Sequence, residues 1–190
     1  MGGRTVCTPE MLTPDDVVTA ASEAAAALRP VACRDWSVRA GVLDWNVEQT
    51  ITHMIGAPAK YTLYLASRCE HFIGLSVTRW PDATNEEVID SIVPVARGLA
   101  TVAAVTPSDV RAYHRAGPSS PADYIGRACV ELLVHTDDAL SGLGVAFAPP
   151  ADLCQRVLAQ QFPDAAAGSD SAGSDSAWHR LLTANGRPIR

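Results

Sequence analysis

The sequence has the length and composition of a single globular domain. It contains 190 residues, of which 47% are hydrophobic and 19% are charged, and this balance favours a folded core over disorder. The formal net charge of −6 argues against nucleic-acid binding, which usually needs a basic stripe. We also expect no membrane span, because we find no apolar run close to the ~18 residues that cross a bilayer.

The N-terminus and the cysteines predict a cytoplasmic protein. The opening residues, MGGRTVCTPE, contain no apolar core of the kind found in signal peptides. The five cysteines are odd in number, far apart and without a C-x-x-C pair. We therefore expect reduced thiols rather than a disulfide framework or a thiolate zinc cluster.

Helix start signals recur along the chain. The first, Thr13-Pro14-Asp15-Asp16, offers an N-cap, a proline at the first helical position and acid in the first turn. The Ala-rich helix that it opens is expected to end near Leu28. Asn46 and Gln49 resemble a capping box for a second helix, in which Pro58 is expected to cause a kink.

Further helices are predicted in the second half of the chain. Thr84 and Glu87 form a capping box for a helix that runs towards Val105, with an irregularity expected at Pro94. The later helices are expected at about residues 120–141, 149–160 and 177–184.

The pattern predicts an all-α fold, a four-helix bundle with long connecting loops and a short C-terminal helix. No stretch alternates convincingly like a strand, and four long helices are typical of a bundle. The long spacers, around residues 29–45, 71–83 and 107–119, are expected to cover one end of it.

A tandem repeat divides the chain into three parts. Residues 168–177 read GSDSAGSDSA, which predicts a flexible linker, with a regulatory phosphosite as the alternative. Residues 1–167 are then predicted to form the helical bundle, and residues 178–190 a segment that packs back on it.

The clearest chemical signal lies in the fourth long helix. Glu131 and His135 are four residues apart and share one helix face, where a carboxylate and an imidazole can bind one metal ion. The alternative is a simple ion pair between Glu131 and a protonated His135.

A second histidine lies in the second helix. His53 alone would be read as a core or rim residue, but it completes a set with Glu131 and His135 if the two helices are neighbours. Two imidazoles and a carboxylate leave an open position on a divalent metal, which is typical of catalytic zinc.

Four segments together resemble the DinB-like, mycothiol-dependent maleylpyruvate isomerase superfamily. Residues 45–53 (WNVEQTITH) resemble its tryptophan-led helix start with the first metal-binding histidine, and residues 131–138 (ELLVHTDD) resemble its E-x-x-x-H-x-x-D helix. Residues 143–152 resemble its exit from that helix. Residues 178–187 (WHRLLTANGR) resemble its closing W-x-x-L-L-x-x-x-G-R.

The resemblance implies a DinB-like four-helix bundle that binds a divalent metal, usually zinc, through His53, Glu131 and His135. Members of the family use a low-molecular-weight thiol such as mycothiol at that metal for transfer to, or isomerisation of, a small electrophile. This chain has Asp137 where the family often has tryptophan, an acid that either changes the charge of the site or faces water. Because it lacks the additional C-terminal domain of the isomerases themselves, we expect a thiol transferase or a further relative.

Two more residues are candidates for the site. Asp138 is the candidate catalytic residue, as an acceptor that orients a ligand imidazole, with a surface acid as the alternative. Arg79 is the candidate cofactor-binding residue, gripping a carboxylate of thiol or substrate, with an ordinary surface arginine as the alternative. We expect no site role for the remaining candidates, which are Trp36, Trp45 and Cys129 as packing residues and His71, His114 and His179 as surface residues.

Two other classes of function remain open. The bundle could be a non-catalytic protein that binds metal or a small hydrophobic molecule. It could also be a helical dimerisation module in which the polar triplet is a hydrogen-bonded cluster without metal. A homodimer formed through a helix face is compatible with each of these functions.

Overall fold

The structure, a computed structural model, describes residues 11–167 and 176–188. Its α-helices, in chain order, are α1 (Pro14–Leu28), α2 (Val47–Ser67), α3 (Asn85–Asp90), α4 (Ile92–Val105), α5 (Pro121–Gly142), α6 (Ala151–Gln161), α7 (Pro163–Ala167) and α8 (Ala177–Ala184). A 3-10 turn, Arg29–Val31, follows α1. Over these residues the only extended pairing is two isolated bridges, so the all-α prediction is confirmed.

Four of the helices form a bundle. Helices α1 and α2 each pack against both α4 and α5, so α2 and α5 are neighbours, the condition on which the His53 prediction depends. Burial of each large apolar side chain contributes about 1.5–3 kcal/mol. The side chains at the centre include Leu28, Ile51, Met54, Leu65, Leu99, Leu132, Leu133 and Leu140.

The helix starts follow from the capping residues in the sequence. The Asn46 side chain accepts a hydrogen bond from the Gln49 backbone at 2.7 Å, and Gln49 Oε1 accepts one from the Asn46 backbone N–H at 3.0 Å. Ser120 and Asp123 form the same reciprocal pair at the start of α5. Each cap satisfies backbone donors that have no partner inside the helix.

The predicted irregularity at Pro94 appears as a break at Ser91, between α3 and α4. Proline has no N–H to bond the carbonyl four residues earlier, and its ring crowds that carbonyl. The disturbance therefore falls one turn before the proline itself. Helix α2, in contrast, continues through Pro58.

The helical stretch Asn85–Val105 is long and apolar enough, by length and composition alone, to cross a membrane. This finding differs from the prediction that no stretch of that length is apolar enough. The core helix of a soluble protein passes the same test, and 39% of its most apolar window is buried inside the protein. Ile92, Ala96 and Leu99 of this stretch belong to the bundle core, so the stretch is weak evidence for a span.

Two long loops are joined to each other beside α2. Residues 68–84 and 106–120 are linked by a hydrogen bond from the Tyr113 backbone to the Cys69 carbonyl at 2.7 Å. The Tyr64 hydroxyl of α2 accepts a bond from the Ile73 backbone at 3.1 Å. The loops are thereby fixed over one face of α2.

Helix α8 packs against α6 and α7. Its Trp178, Leu181 and Leu182 are buried. The chain then turns at Gly186, whose φ of +72° suits glycine, and this turn sets the position of Arg187. Of the repeat predicted as a linker, residues 168–175 lie outside the described residues.

Candidate metal centre

The three predicted metal ligands meet at one place. Glu131 and His135 lie on neighbouring turns of α5, and His53 reaches them from α2. Glu131 Oε2 is 3.1 Å from His135 Nε2 and 3.3 Å from His53 Nε2. One ligand atom from each of the three residues lies within 4.8 Å of the other two.

The donor set fits zinc. Two imidazole nitrogens and a carboxylate oxygen are ordinary zinc ligands. Around a tetrahedral ion with bonds of about 2.0–2.1 Å, neighbouring donors are about 3.3–3.4 Å apart. The two separations from Glu131 Oε2 to the imidazole nitrogens are already close to that value.

Asp138 orients one of the imidazoles. Its Oδ2 lies 3.0 Å from His135 Nδ1. A neutral His135 that donates from Nδ1 has its lone pair on Nε2, the atom that faces Glu131 and His53. Asp138 is fully buried, so the interpretation as a surface acid is wrong. Since it is enclosed by protein, we treat it as a positioning residue rather than one that touches substrate.

Arg187 in turn holds Asp138. Its Nη2 donates to Asp138 Oδ2 at 2.7 Å and its Nε to Oδ1 at 3.1 Å, the two-pronged geometry in which arginine binds carboxylates most strongly. The third nitrogen, Nη1, donates to the Asn185 carbonyl at 2.6 Å. A chain of contacts thus runs from the C-terminal segment to a candidate metal ligand.

The charges of the cluster are tightly coupled. Burial alone would raise the pKa of Glu131, but the hydrogen bonds from His135 and His53 outweigh it and lower the pKa to about 2. Burial would likewise lower the pKa of His135, but the bonds to Asp138 and Glu131 raise it to about 9. Without a metal, the cluster therefore holds a proton on His135, and metal binding would have to release it.

Trp45 lies over the centre. Its ring centroid is 4.8 Å from that of His53 and 6.3 Å from that of His135. It is 40% exposed, whereas Trp36 is buried in the core. The predicted core packing role is confirmed for Trp36, whereas Trp45 packs at the rim of the centre against the imidazoles of two candidate ligands.

Arg79 is held by its own loop and by the neighbouring helices. Its Nη1 donates to Asn85 Oδ1 at 2.8 Å and to Glu48 Oε2 at 3.3 Å. Its Nε donates to the Ala83 carbonyl at 3.0 Å, and Nη2 bonds the same oxygen. It is not an ordinary surface arginine. A role in gripping a ligand carboxylate stays a prediction, and most of the donors it would need are engaged within the protein.

Asp137 does not belong to the converging set. It is 7% exposed, so it is largely buried. It lines a separate cavity together with Val145, Phe147 and Trp178. Cys129, predicted to be core, is fully buried, and burial raises the pKa of its thiol.

A group of residues beside the centre was not predicted from the sequence. His114, predicted to be a surface residue, is half-buried, with its ring 5.8 Å from that of Tyr61 and 6.2 Å from that of Tyr124. Burial raises the pKa of Tyr61, and the charge of Glu131 adds to the effect. Tyr61 follows His53 by two helical turns, a spacing that could have identified it; the loop position of His114 has no such pattern.

Comparison of the chain with protein-family models, with curated proteins and with solved structures finds no match. The function of the protein is therefore inferred from the geometry of the site and from the sequence resemblance.

Proposed function

We propose that the protein is a metal-dependent enzyme, with zinc held by His53, Glu131 and His135, that activates a low-molecular-weight thiol such as mycothiol for transfer to, or isomerisation of, a small electrophile. The observation that carries the proposal is the convergence of two Nε2 atoms and a carboxylate oxygen from two helices. Three protein ligands with a further position open are typical of catalytic zinc. The resemblance to the DinB-like superfamily supports the choice of a thiol.

The chemistry requires a thiolate at neutral pH. A free thiol, with a pKa of about 8.5, is mostly protonated there, and zinc bound at this site would supply the charge that stabilises the thiolate. The thiol proton passes to solvent and the sulfur bonds to the electrophilic carbon. In transfer, a leaving group departs with the bonding electron pair; in isomerisation, the sulfur is later expelled.

The chain's own residues orient the site. Asp138 fixes the His135 ring, and Arg187 fixes Asp138. The Trp45 ring lies against both imidazoles on the exposed side of the centre, where it limits access of water. With both histidines neutral, Glu131 supplies the one negative charge of the ligand set, so a divalent cation there would stay net positive and attract an anionic sulfur.

Metal analysis of protein purified without a His-tag tests the proposal. We expect about one equivalent of zinc per chain in the native protein and its loss in His53→Ala and Glu131→Ala. His71→Ala removes an imidazole from an exposed position outside the centre and is the matched control, in which the metal should remain.

Turnover separates an enzyme from a binding protein. Zinc-loaded protein is incubated with mycothiol, or a cysteine-based analogue, and a panel of electrophiles. If the protein contains zinc but shows neither thiol-dependent turnover nor a thermal shift when thiol is added, the result would favour a non-catalytic metal-binding protein. Absence of zinc in the native protein would instead leave a hydrogen-bonded polar cluster and contradict the proposal.

A further inference from the structure

A cavity of about 540 Å³ lies beside the candidate metal centre. One wall is a stripe of α2 at helical spacing, from Thr52 to Tyr64, and the loops described above supply the others. His53 and Glu131 both line it. A molecule bound here would therefore contact the centre directly, so the cavity is placed to hold part of a reactant.

The cavity is basic although the protein as a whole is acidic. Lys60 and Arg115 line it, and within residues 11–167 and 176–188 neither forms an ion pair with a carboxylate. Lys60 Nζ lies 5.6 Å from the centroid of the Phe72 ring, which leaves its ammonium donors available. Two cations at one cavity in a chain of net charge −6 point to a ligand with the opposite charge.

His114, on the loop side of the cavity, also lies near positive charges. Burial lowers its pKa most, and then Arg127 and Arg115 lower it further. Glu131 and Asp123 act in the opposite direction, but Glu131 faces the two candidate ligand histidines and Asp123 is bonded within the cap of α5. The carboxylates nearby are thus already engaged.

The rest of the lining is aromatic. Tyr64 and Tyr113 have ring centroids 5.5 Å apart, and Phe72 lies 6.0 Å from Tyr113. Rings of this kind pack against flat, apolar groups. The cavity wall therefore offers an aromatic surface to a flat, apolar part of a ligand and two cations to an acidic group of the same ligand.

We propose that this cavity binds a carboxylate carried by one of the two reactants, with Lys60 and Arg115 as its charge partners and the aromatic wall against the rest of the molecule. The inference rests on the proposed function for the site as a whole. Mycothiol has no free carboxylate, because its cysteinyl carboxyl forms an amide. The carboxylate therefore belongs either to the electrophile or to another low-molecular-weight thiol, and the two experimental arms below separate these sources.

The first arm uses thiols that differ only in charge. Protein loaded with Co²⁺ is titrated with N-acetyl-L-cysteine and with its neutral amide, and the sulfur-to-cobalt absorption band reports binding. The second arm needs neither metal nor thiol: calorimetry compares cinnamate with neutral cinnamide on the metal-free protein. A charge-assisted contact predicts a preference for the carboxylate of about tenfold or more in one of the arms.

Three variants assign the preference to the cavity. Lys60→Met and Arg115→Met should each reduce it several-fold, while Co²⁺ binding stays unchanged. Arg97→Met removes a positive charge from an exposed position of α4 outside the cavity and should leave the preference intact.

Several results would overturn the inference. Equal binding of acid and amide in both arms would do so. A preference for the carboxylate that persists in both Lys60→Met and Arg115→Met would also overturn it. So would a preference that falls as much in Arg97→Met as in those two variants. Failure of Co²⁺ to bind would instead contradict the proposed function, and the cinnamate arm would still test the cavity.

Discussion

Helix α5 has two sides that are held in place by different forces. One side carries Glu131, His135 and Asp138, whose polar atoms are fixed by partners at 2.7–3.3 Å. The other carries Leu132 and Leu133, which are fully buried in the bundle core and fixed by packing. Residues 131 and 132 are neighbours in sequence, yet one belongs to the candidate site and the other to the core. The difference teaches that metal binding and stability should be separable by mutation.

The largest effect is expected on the core side. Leu132→Ala should lower the free energy of unfolding by about 2–5 kcal/mol, because it leaves a cavity in a packed interior. Denaturant titration measures this loss. Zinc stoichiometry of the folded variant should remain that of the native protein. If the zinc is lost as well, the two sides of α5 are not independent.

Two glycines on α5 give a second test of how tightly this helix is packed. A Cβ at Gly142 would lie 2.2 Å from the Arg39 carbonyl oxygen, a backbone atom, whereas at Gly126 it would meet the side-chain amide of Gln161 at 2.1 Å. Backbone cannot move aside as a flexible side chain can. We expect Gly142→Ala to cost about 1–3 kcal/mol of stability, and Gly126→Ala to cost clearly less by the same denaturant titration.

If both glycine variants lose the same free energy of unfolding, the Gln161 side chain is as rigid as the backbone of residues 39–40. The contrast between the two contacts would then be wrong.

On the polar side the expected change is in metal affinity. Asp138→Asn should weaken zinc binding by about 10–100-fold, because the amide loses the charge that holds both His135 and Arg187. Competition with a chromogenic chelator measures the affinity. Asp152→Asn makes the same change at an exposed carboxylate that bonds Arg156 and should bind zinc as the native protein does. If the two variants bind zinc with equal affinity, Asp138 does not position His135 for metal binding.

Much of the fold was predictable because its signals are local. The caps at Asn46, Thr84 and Ser120 each bond a residue three positions on, so a short window contains the whole interaction. The position of the break at Ser91 was less predictable. The sequence identifies the proline that causes the break, but not the backbone carbonyl that the proline crowds. The two long loops contain no periodic pattern, and their positions depend on contacts with α2.

The site was predictable in part for the same reason. Glu131 and His135 are one turn apart, so their pairing follows from helix geometry. The approach of His53 depends on which helices are neighbours, which only the resemblance indicated. The contact of Asp138 with His135 follows from their spacing of three residues. Its burial against Arg187 was not predictable, because that partner lies 49 positions later. Lys60 and Arg115 line the same cavity, and this placement also depends on contacts between distant parts of the chain.

The contact between Arg187 and Asp138 has a consequence for synthesis. All three candidate ligands leave the ribosome well before the arginine that braces one of them. A nascent chain can gather its two imidazoles and its carboxylate early, but the His135 ring has its full support only when translation has passed residue 187. Metal capture should therefore be weaker before residue 187 has emerged than afterwards, and the turn that follows α8 supports the centre although it supplies none of the candidate ligands.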